Sequence, residues 1–268
     1  MAKTKDDKYI VHIQTVQSSA IRILTEALKE ILTDCNFIFD KDGLKLIAMD
    51  STHTVLIHMK LEANKFEHYH CETQTQIGLN MLNLHKLIKT MSNADTLTLF
   101  LKKDDTNKMG IIINNNDKKT QTTYELNLLD IPKEKISIPP AEFDTELVLP
   151  SSDFQKFIRD MINIGENVEI KSVEDTLVLK CKGDFASQET ILGETESGLQ
   201  FSQTANTEQP VQGVFSLKYL MLFTRCTNLC NHIQLYIKND YPLIIQYSVA
   251  SLGFIKLCLA PNTSEQNL

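Results

Sequence analysis

The feature that most constrains this chain is that it is written twice. Ser18-Ser19 opens an amphipathic helical run that ends near Leu32. A strand follows at Phe37–Phe39, then a turn at Asp40-Lys41-Asp42-Gly43 and a second strand at Leu44–Met49. From Ser151-Ser152 the order returns: a helical run to Ile164, strand Val168–Ile170, a turn at Glu174-Asp175 and strand Leu177–Leu179. Ser18 and Ser151 stand 133 residues apart, and so do Asp42 and Asp175. Further on, Gly78 opens a helical run before a strand at Leu97–Leu101, and Gly213, 135 residues later, does the same before Ile233–Ile237. A chain of two copies is expected to fold as two like units, here of α+β type, each with two helices and many alternating strands.

Between the copies, Leu128 to Pro140 holds three prolines and interleaved charges, the composition of an extended connector. Its apolar residues suggest that it lies on a surface. The expected organisation is a unit over 1–127, a connector over 128–143 and a second unit over 144–268.

Much enzyme chemistry is missing. Of 268 residues only nine are glycine, and no phosphate-cradling loop, dinucleotide fingerprint or nucleophile elbow occurs. No stretch reaches the length of a membrane-spanning helix. His68, His70 and Cys71 are the tightest group of potential metal ligands; lacking a second cluster with ligand spacing, they read as an ordinary strand surface, and Cys226, Cys230 and His232 as helix end and strand. No cofactor and no metal are expected. The start lacks the apolar core of a secretory signal, so the six cysteines read as reduced thiols and the Asn262-Thr263-Ser264 sequon as chance.

The charge is segregated. The chain carries −7 overall, which by itself repels nucleic acid. Yet each helical run pairs an apolar face with two bases. Ala20, Ile21, Leu24, Ala27, Leu28 and Ile31 define the first face, with Arg22 and Lys29 behind it. Met81, Leu84, Leu87, Ile88 and Met91 define the second, with Lys86 and Lys89. Phe154, Phe157, Ile158 and Met161 define the third, with Lys156 and Arg159. Phe215, Tyr219, Leu222 and Phe223 are expected on the fourth, with Lys218 and Arg225 on its flank. The four runs hold these eight bases against four acids, a balance of +4 that leaves −11 on the rest. A single basic pair on a polar helix face is ordinary. Four pairs on four repeat-related helices form a pattern.

Short segments resemble one family. Leu46-Ile47-Ala48-Met49-Asp50-Ser51-Thr52-His53 resembles the L-x-x-M-D-S-S-H segment of the proliferating cell nuclear antigen (PCNA) sliding clamps. Cys258-Leu259-Ala260-Pro261-Asn262 is similar to their Y-L-A-P-K ending, Asp240-Tyr241-Pro242-Leu243 to their D-x-P-L strand start, and Leu128 to Pro139 to their interdomain loop. The resemblance runs in order over residues 9–262. It implies a non-enzymatic homotrimeric ring, with antiparallel sheets outside and two helices per domain lining the inside around duplex DNA. Such a ring tethers DNA polymerase, and its partners include a clamp loader and other proteins with short clamp-binding peptides. A nucleus or a viral replication compartment is the implied location. A subunit of a checkpoint-type heterotrimeric clamp is the alternative.

Carried across residue by residue, the eight helix bases face DNA. Thr90, Tyr124, Asn163, Gln188 and Ile191 belong to the trimer interface. The peptide pocket takes Met49, His53, Ile138 and Pro139 from the first copy and connector, and Pro242, Leu259, Ala260 and Pro261 from the second copy. Several positions depart from the family pattern. Ile23, Asn127 and Asn163 replace residues that are often basic or His, Cys258 replaces an aromatic, Thr54 replaces Val, and Glu174 stands where eukaryotic clamps carry the Lys that accepts ubiquitin.

Overall fold

The computed structural model describes residues 6–133, 136, 138, 141–204 and 210–262. The first copy runs β1 (Tyr9–Thr15), α1 (Ser18–Ile31), β2 (Asp34–Asp40), β3 (Gly43–Met49), β4 (Val55–Glu62), β5 (His68–Cys71), β6 (Thr75–Asn80), α2 (Met81–Ile88), β7 (Asp95–Lys102), β8 (Lys108–Asn115) and β9 (Thr120–Asn127). The second runs β10 (Thr145–Pro150), α3 (Ser151–Met161), β11 (Asn167–Val173), β12 (Thr176–Lys182), β13 (Ser187–Gly193), β14 (Gln200–Gln203), β15 (Val211–Ser216), α4 (Leu217–Phe223), β16 (His232–Ile237), β17 (Leu243–Val249) and β18 (Gly253–Leu259).

The repeat holds at the level of topology. The first copy orders five strands as β5-β1-β7-β8-β9 and four as β4-β3-β2-β6. Adding nine to each strand number converts these into β14-β10-β16-β17-β18 and β13-β12-β11-β15, the orders of the second copy. Pairing is antiparallel, as in β1 with β7 and β10 with β16. Two compact units result. One holds Met1–Ser51, Ile57–Ile136 and Ser248–Ile255; the other holds Thr52–Leu56, Ser137–Tyr247 and Lys256–Leu268.

Local patterning explains the elements. In α1, Ala20, Ile21, Leu24, Ala27 and Leu28 recur at helical spacing and are all buried. In β2, Cys35, Phe37 and Phe39 alternate inward, as period-two strands require. The serines that mark the repeat do the same work in both copies. Ser18 Oγ donates to the Ser92 carbonyl at 3.0 Å, past the end of α2. Ser151 Oγ donates to the Cys230 carbonyl at 2.6 Å, in the corresponding place after α4. Each hydroxyl is buried and ties the start of one helix to the chain that leaves the other.

The copies also protect one edge strand in the same way. Leu129 N–H donates to the Gly78 carbonyl on β6 at 2.9 Å. The connector is held further by Asn36 Nδ2, which donates to the Ile131 carbonyl at 3.2 Å. A Cβ on Gly78 would stand 2.3 Å from the Leu129 oxygen, so only glycine admits this crossing. In the second copy, Asn262 N–H donates to the Val214 carbonyl on β15 at 2.8 Å. Connector and tail are thus equivalents, each folding back over the edge of its own unit.

The fourth helix corrects the expectation. Phe215 belongs to β15, and the buried face of α4 is Leu217, Leu220 and Phe223. Tyr219 and Leu222 are only half-buried. The helix ends at Phe223, and Thr224–Leu229 is a tighter 3-10 turn. The apparent i, i+4 step from Phe215 to Tyr219 crosses a strand-to-helix junction, where neither residue shares the other's periodicity.

Candidate functional site

The helix bases fall into two situations. Lys86 and Lys89 are exposed, on α2 and at its cap, and so are Lys156 and Arg159 on α3. Lys218 on α4 and Arg225 in the following turn are also exposed. Those on α1 are already engaged. Arg22 donates to Asn93 Oδ1 at 3.1 Å, and Lys29 pairs with Glu30 beside it. Exposed cations on helix surfaces attract phosphates without reading sequence.

His85 reports the field on the first unit's helices. Burial lowers its pKa most, and Lys29 from α1 and, more weakly, Lys89 from the end of α2 lower it further, while Glu26 and Glu30 oppose them without reversing the direction. Charges from two helices therefore converge on one imidazole, which Thr25 Oγ1 also approaches to 3.5 Å.

A second surface gathers around the tail within the second unit. Ala260 N–H donates to the Thr54 carbonyl at 3.0 Å, and the Thr52 and Tyr219 hydroxyls lie 3.0 Å apart. Asn262 Nδ2 donates to Asn167 Oδ1 at 2.7 Å. His53 is exposed and sits in a left-handed turn at φ 55°, and Ala260, Pro261 and Pro242 are half-buried. Ile138 is exposed. Met49, in the first unit, ends β3 half-buried, and Pro139 lies outside the described residues. Leu259 is a correction. It is fully buried, so it is a core residue of the last strand and lines no surface that a peptide reaches. Sequence reasoning passed over Tyr219 as a polar contributor, because it was assigned to the core face of the fourth helix.

The third feature is a pair of open strand edges. β9 pairs with β8 and β13 pairs with β12, and each ends its strand order. Tyr124 lies half-buried on β9, opposite Ile111 of β8. On β13, Gln188 is half-buried and its Nε2 donates to Thr190 Oγ1, while Ile191 is 64% exposed. Phe185, just before β13, is 78% exposed and was missed by the sequence reading. Thr90 and Asn163 are exposed near helix ends, where Thr90 Oγ1 donates to the Leu87 carbonyl and Asn163 Nδ2 to the Arg159 carbonyl.

Reactive groups are quiet. All six cysteines are free. Burial pushes the Cys35 and Cys226 thiols up to about 12 and Cys258 to about 11, far from the thiolate form a nucleophile needs. The apolar hollow inside the first unit, between α1 and residues such as Phe37, Met59 and Leu84, measures about 30 Å³, room for roughly one water. No described helix is long and apolar enough to cross a membrane.

A duplicated α+β chain with basic helices and open strand edges defines a clamp-type protein that acts by binding. Comparison with known proteins agrees. Residues 10–135 match the model of the proliferating cell nuclear antigen N-terminal domain, and residues 137–262 match its C-terminal domain. The chain is 34% identical over 260 residues to "Probable DNA polymerase sliding clamp 1" of Paramecium bursaria Chlorella virus 1, covering 96% of this chain and 98% of that protein. It is 29% identical over 251 residues to the proliferating cell nuclear antigen of Chaetomium thermophilum, covering 93% and 96%. The chain belongs to the PCNA family: it is a DNA polymerase sliding clamp and processivity factor, not an enzyme.

Proposed function

We propose that three copies close into a ring around duplex DNA, pairing β9 of one copy with β13 of the next, and that the ring tethers DNA polymerase. The observation that carries this reading is the uneven treatment of strand edges. The edges of β6 and β15 are each covered by the chain's own connector or tail, whereas among the described residues no further strand pairs with β9 or β13, and Ile191 and Phe185 are exposed beside one of them. Open edges are a liability that a specific partner strand removes, and joining two different edges head to tail gives a ring when the rotation from copy to copy closes. Tyr124, Gln188 and Ile191 then lie in the joint, with Thr90 and Asn163 beside it.

In this ring the exposed bases of α2, α3 and α4 face phosphates, with Arg22 and Lys29 contributing less because their charges are partly satisfied within the chain. Contacts to many equivalent phosphates have no preferred register, which suits sliding. Partner peptides dock on the surface of His53, Ile138, Pro242, Ala260 and Pro261, with Met49 and Pro139 as further candidates, inserting apolar side chains while their extended flank pairs with backbone. A clamp loader and replication factors are the expected partners, in a nucleus or a viral replication compartment.

Light scattering of the full chain at micromolar concentration tests the assembly: three times the 30.5 kDa chain mass is expected. A persistent monomer would exclude self-closure and favour a heterotrimeric clamp. Calorimetric titration of a Q-x-x-[ILM]-x-x-[FY]-[FY] peptide tests the pocket. Binding that survives both Ile138→Asp and Pro242→Asp in folded trimers would place the site elsewhere.

A further inference from the structure

One group of side chains lies outside the three features described above. β1 and β5 pair so that His12 stands directly opposite His70, with His68 two residues along β5. Directly opposed residues of an antiparallel pair share a face, as do residues two apart, so the three imidazoles project from one side of the sheet. Asp6 reaches this face from the segment before β1. Its carboxylate accepts from His12 Nδ1 at 2.6 Å and from His68 Nε2 at 3.1 Å. One ligand atom from each of Asp6, His12 and His68 lies within 4.8 Å of the others.

We propose that Asp6, His12 and His68 form a site for a divalent transition-metal ion of the zinc type, bound by His12 Nδ1, His68 Nε2 and one Asp6 oxygen, with water in the fourth position. Ligand atoms bound at about 2.0–2.1 Å around a tetrahedral ion sit roughly 3.3 Å apart, so small side-chain adjustments convert the hydrogen-bonded trio into a coordination shell. Two imidazoles and a carboxylate suit zinc, whereas calcium and magnesium call for oxygen donors. His12 is buried and packs its ring against His68, with centroids 4.8 Å apart, so both ligands are held in place. On the same face, His70 Nε2 is sealed from solvent and has no hydrogen-bond partner among the described residues.

The ion would clip the segment before β1 onto β5, which is the outer strand of its sheet order. Binding restricted to the folded state raises stability by linkage.

The test uses the full chain, stripped with chelator and titrated with Zn²⁺ by calorimetry. One ion per chain is expected, with a rise in melting temperature on saturation. His68→Gln changes a partly exposed side chain and is expected to fold; it and Asp6→Asn should each weaken Zn²⁺ affinity about 100-fold. Cys71→Ser with Cys230→Ser should leave affinity unchanged, and the Co²⁺-loaded chain should lack a thiolate charge-transfer band. Absence of Zn²⁺ binding above the His68→Gln level, or binding lost with the two cysteines, would overturn the assignment and leave Asp6 as a hydrogen-bonded anchor only.

Discussion

β4 and β13 hold the same place in the two copies, yet they are finished differently. On β4, Val55, Ile57, Met59 and Leu61 are completely buried and the residues between them half-buried. Chain from Ser248–Ile255 covers its edge in the first unit, where Glu62 N–H donates to the Leu252 carbonyl at 2.8 Å. No residue of β13 is buried, and Ile191 stands out in solvent. The last strands of the copies differ in the same sense: β9 is mostly exposed, while Ile255, Leu257, Cys258 and Leu259 of β18 are buried. Duplication sets where a strand runs. Its side chains then decide whether the edge is closed within the chain or left exposed.

The sharpest way to break this comparison is to place the same charge on both strands. Met59→Asp puts a carboxylate in a sealed core and should cost at least about 4 kcal/mol, lowering the melting temperature of the first unit by ~10 °C or more. Ile191→Asp should leave the fold within roughly 0.5 kcal/mol of the parent while the assembly falls to single-chain mass. Calorimetry and light scattering on both variants decide it. An Ile191→Asp chain that unfolds like Met59→Asp, or one that keeps its assembled mass, would remove β13 from the interface.

The two repeat-marking glycines sharpen the lesson one step down in size. A Cβ on Gly213 would lie 2.6 Å from the ring of Phe215, which is buried and cannot swing away. Gly213→Ala should therefore cost about 1–3 kcal/mol through overpacking. The Cβ of Gly78→Ala meets the Leu129 carbonyl, and the connector can lift to avoid it. That variant should lose less stability but gain faster amide exchange at Leu129. Equal stability loss with protected Leu129 would show that the connector is not held at this crossing.

These contrasts also show what was legible in the sequence. The duplication, the buried faces of the first three helices and the hairpin turns all follow from local periodicity, which side chains such as Leu24, Phe37 and Ile158 write directly into the chain. The fourth helix was misphased because Phe215 imitates a helical step from within a strand. Leu259 was misplaced because its neighbours further along the tail lie nearer the surface, while the buried last strand ends only at Leu259. The Asp6–His12–His68 group was invisible for a different reason. Its members lie up to 62 residues apart, and only the register of β1 on β5 brings them together.

The helix bases set up a smaller contrast. Lys86→Glu with Lys89→Glu reverses two exposed charges and should weaken duplex binding about tenfold at physiological salt. Arg22→Glu with Lys29→Glu should do less, about threefold, because Asn93 and Glu30 already hold those groups. Equal losses would mean that both α1 contacts open readily when phosphate approaches.

The smallest expected effect belongs to His85. Burial, then Lys29 and Lys89, hold its pKa below 6.5 in the folded chain. The unfolded chain titrates near 6.5, so as pH falls through that value the unfolded state takes up a proton first. His85 therefore costs stability on acidification, and the loss levels off once pH passes below the depressed folded value. Phosphates beside Lys29 and Lys89 offset the repulsion that depresses His85, so duplex binding should raise its pKa and draw in a proton. Between pH 7.5 and 6, at fixed ionic strength, binding should strengthen about two- to threefold beyond any change seen in His85→Asn. The imidazole resonance of His85, followed by NMR with and without a short duplex, gives the direction directly. A pKa that falls or stays fixed on adding DNA would mean that α1 and α2 of the first unit do not face the duplex.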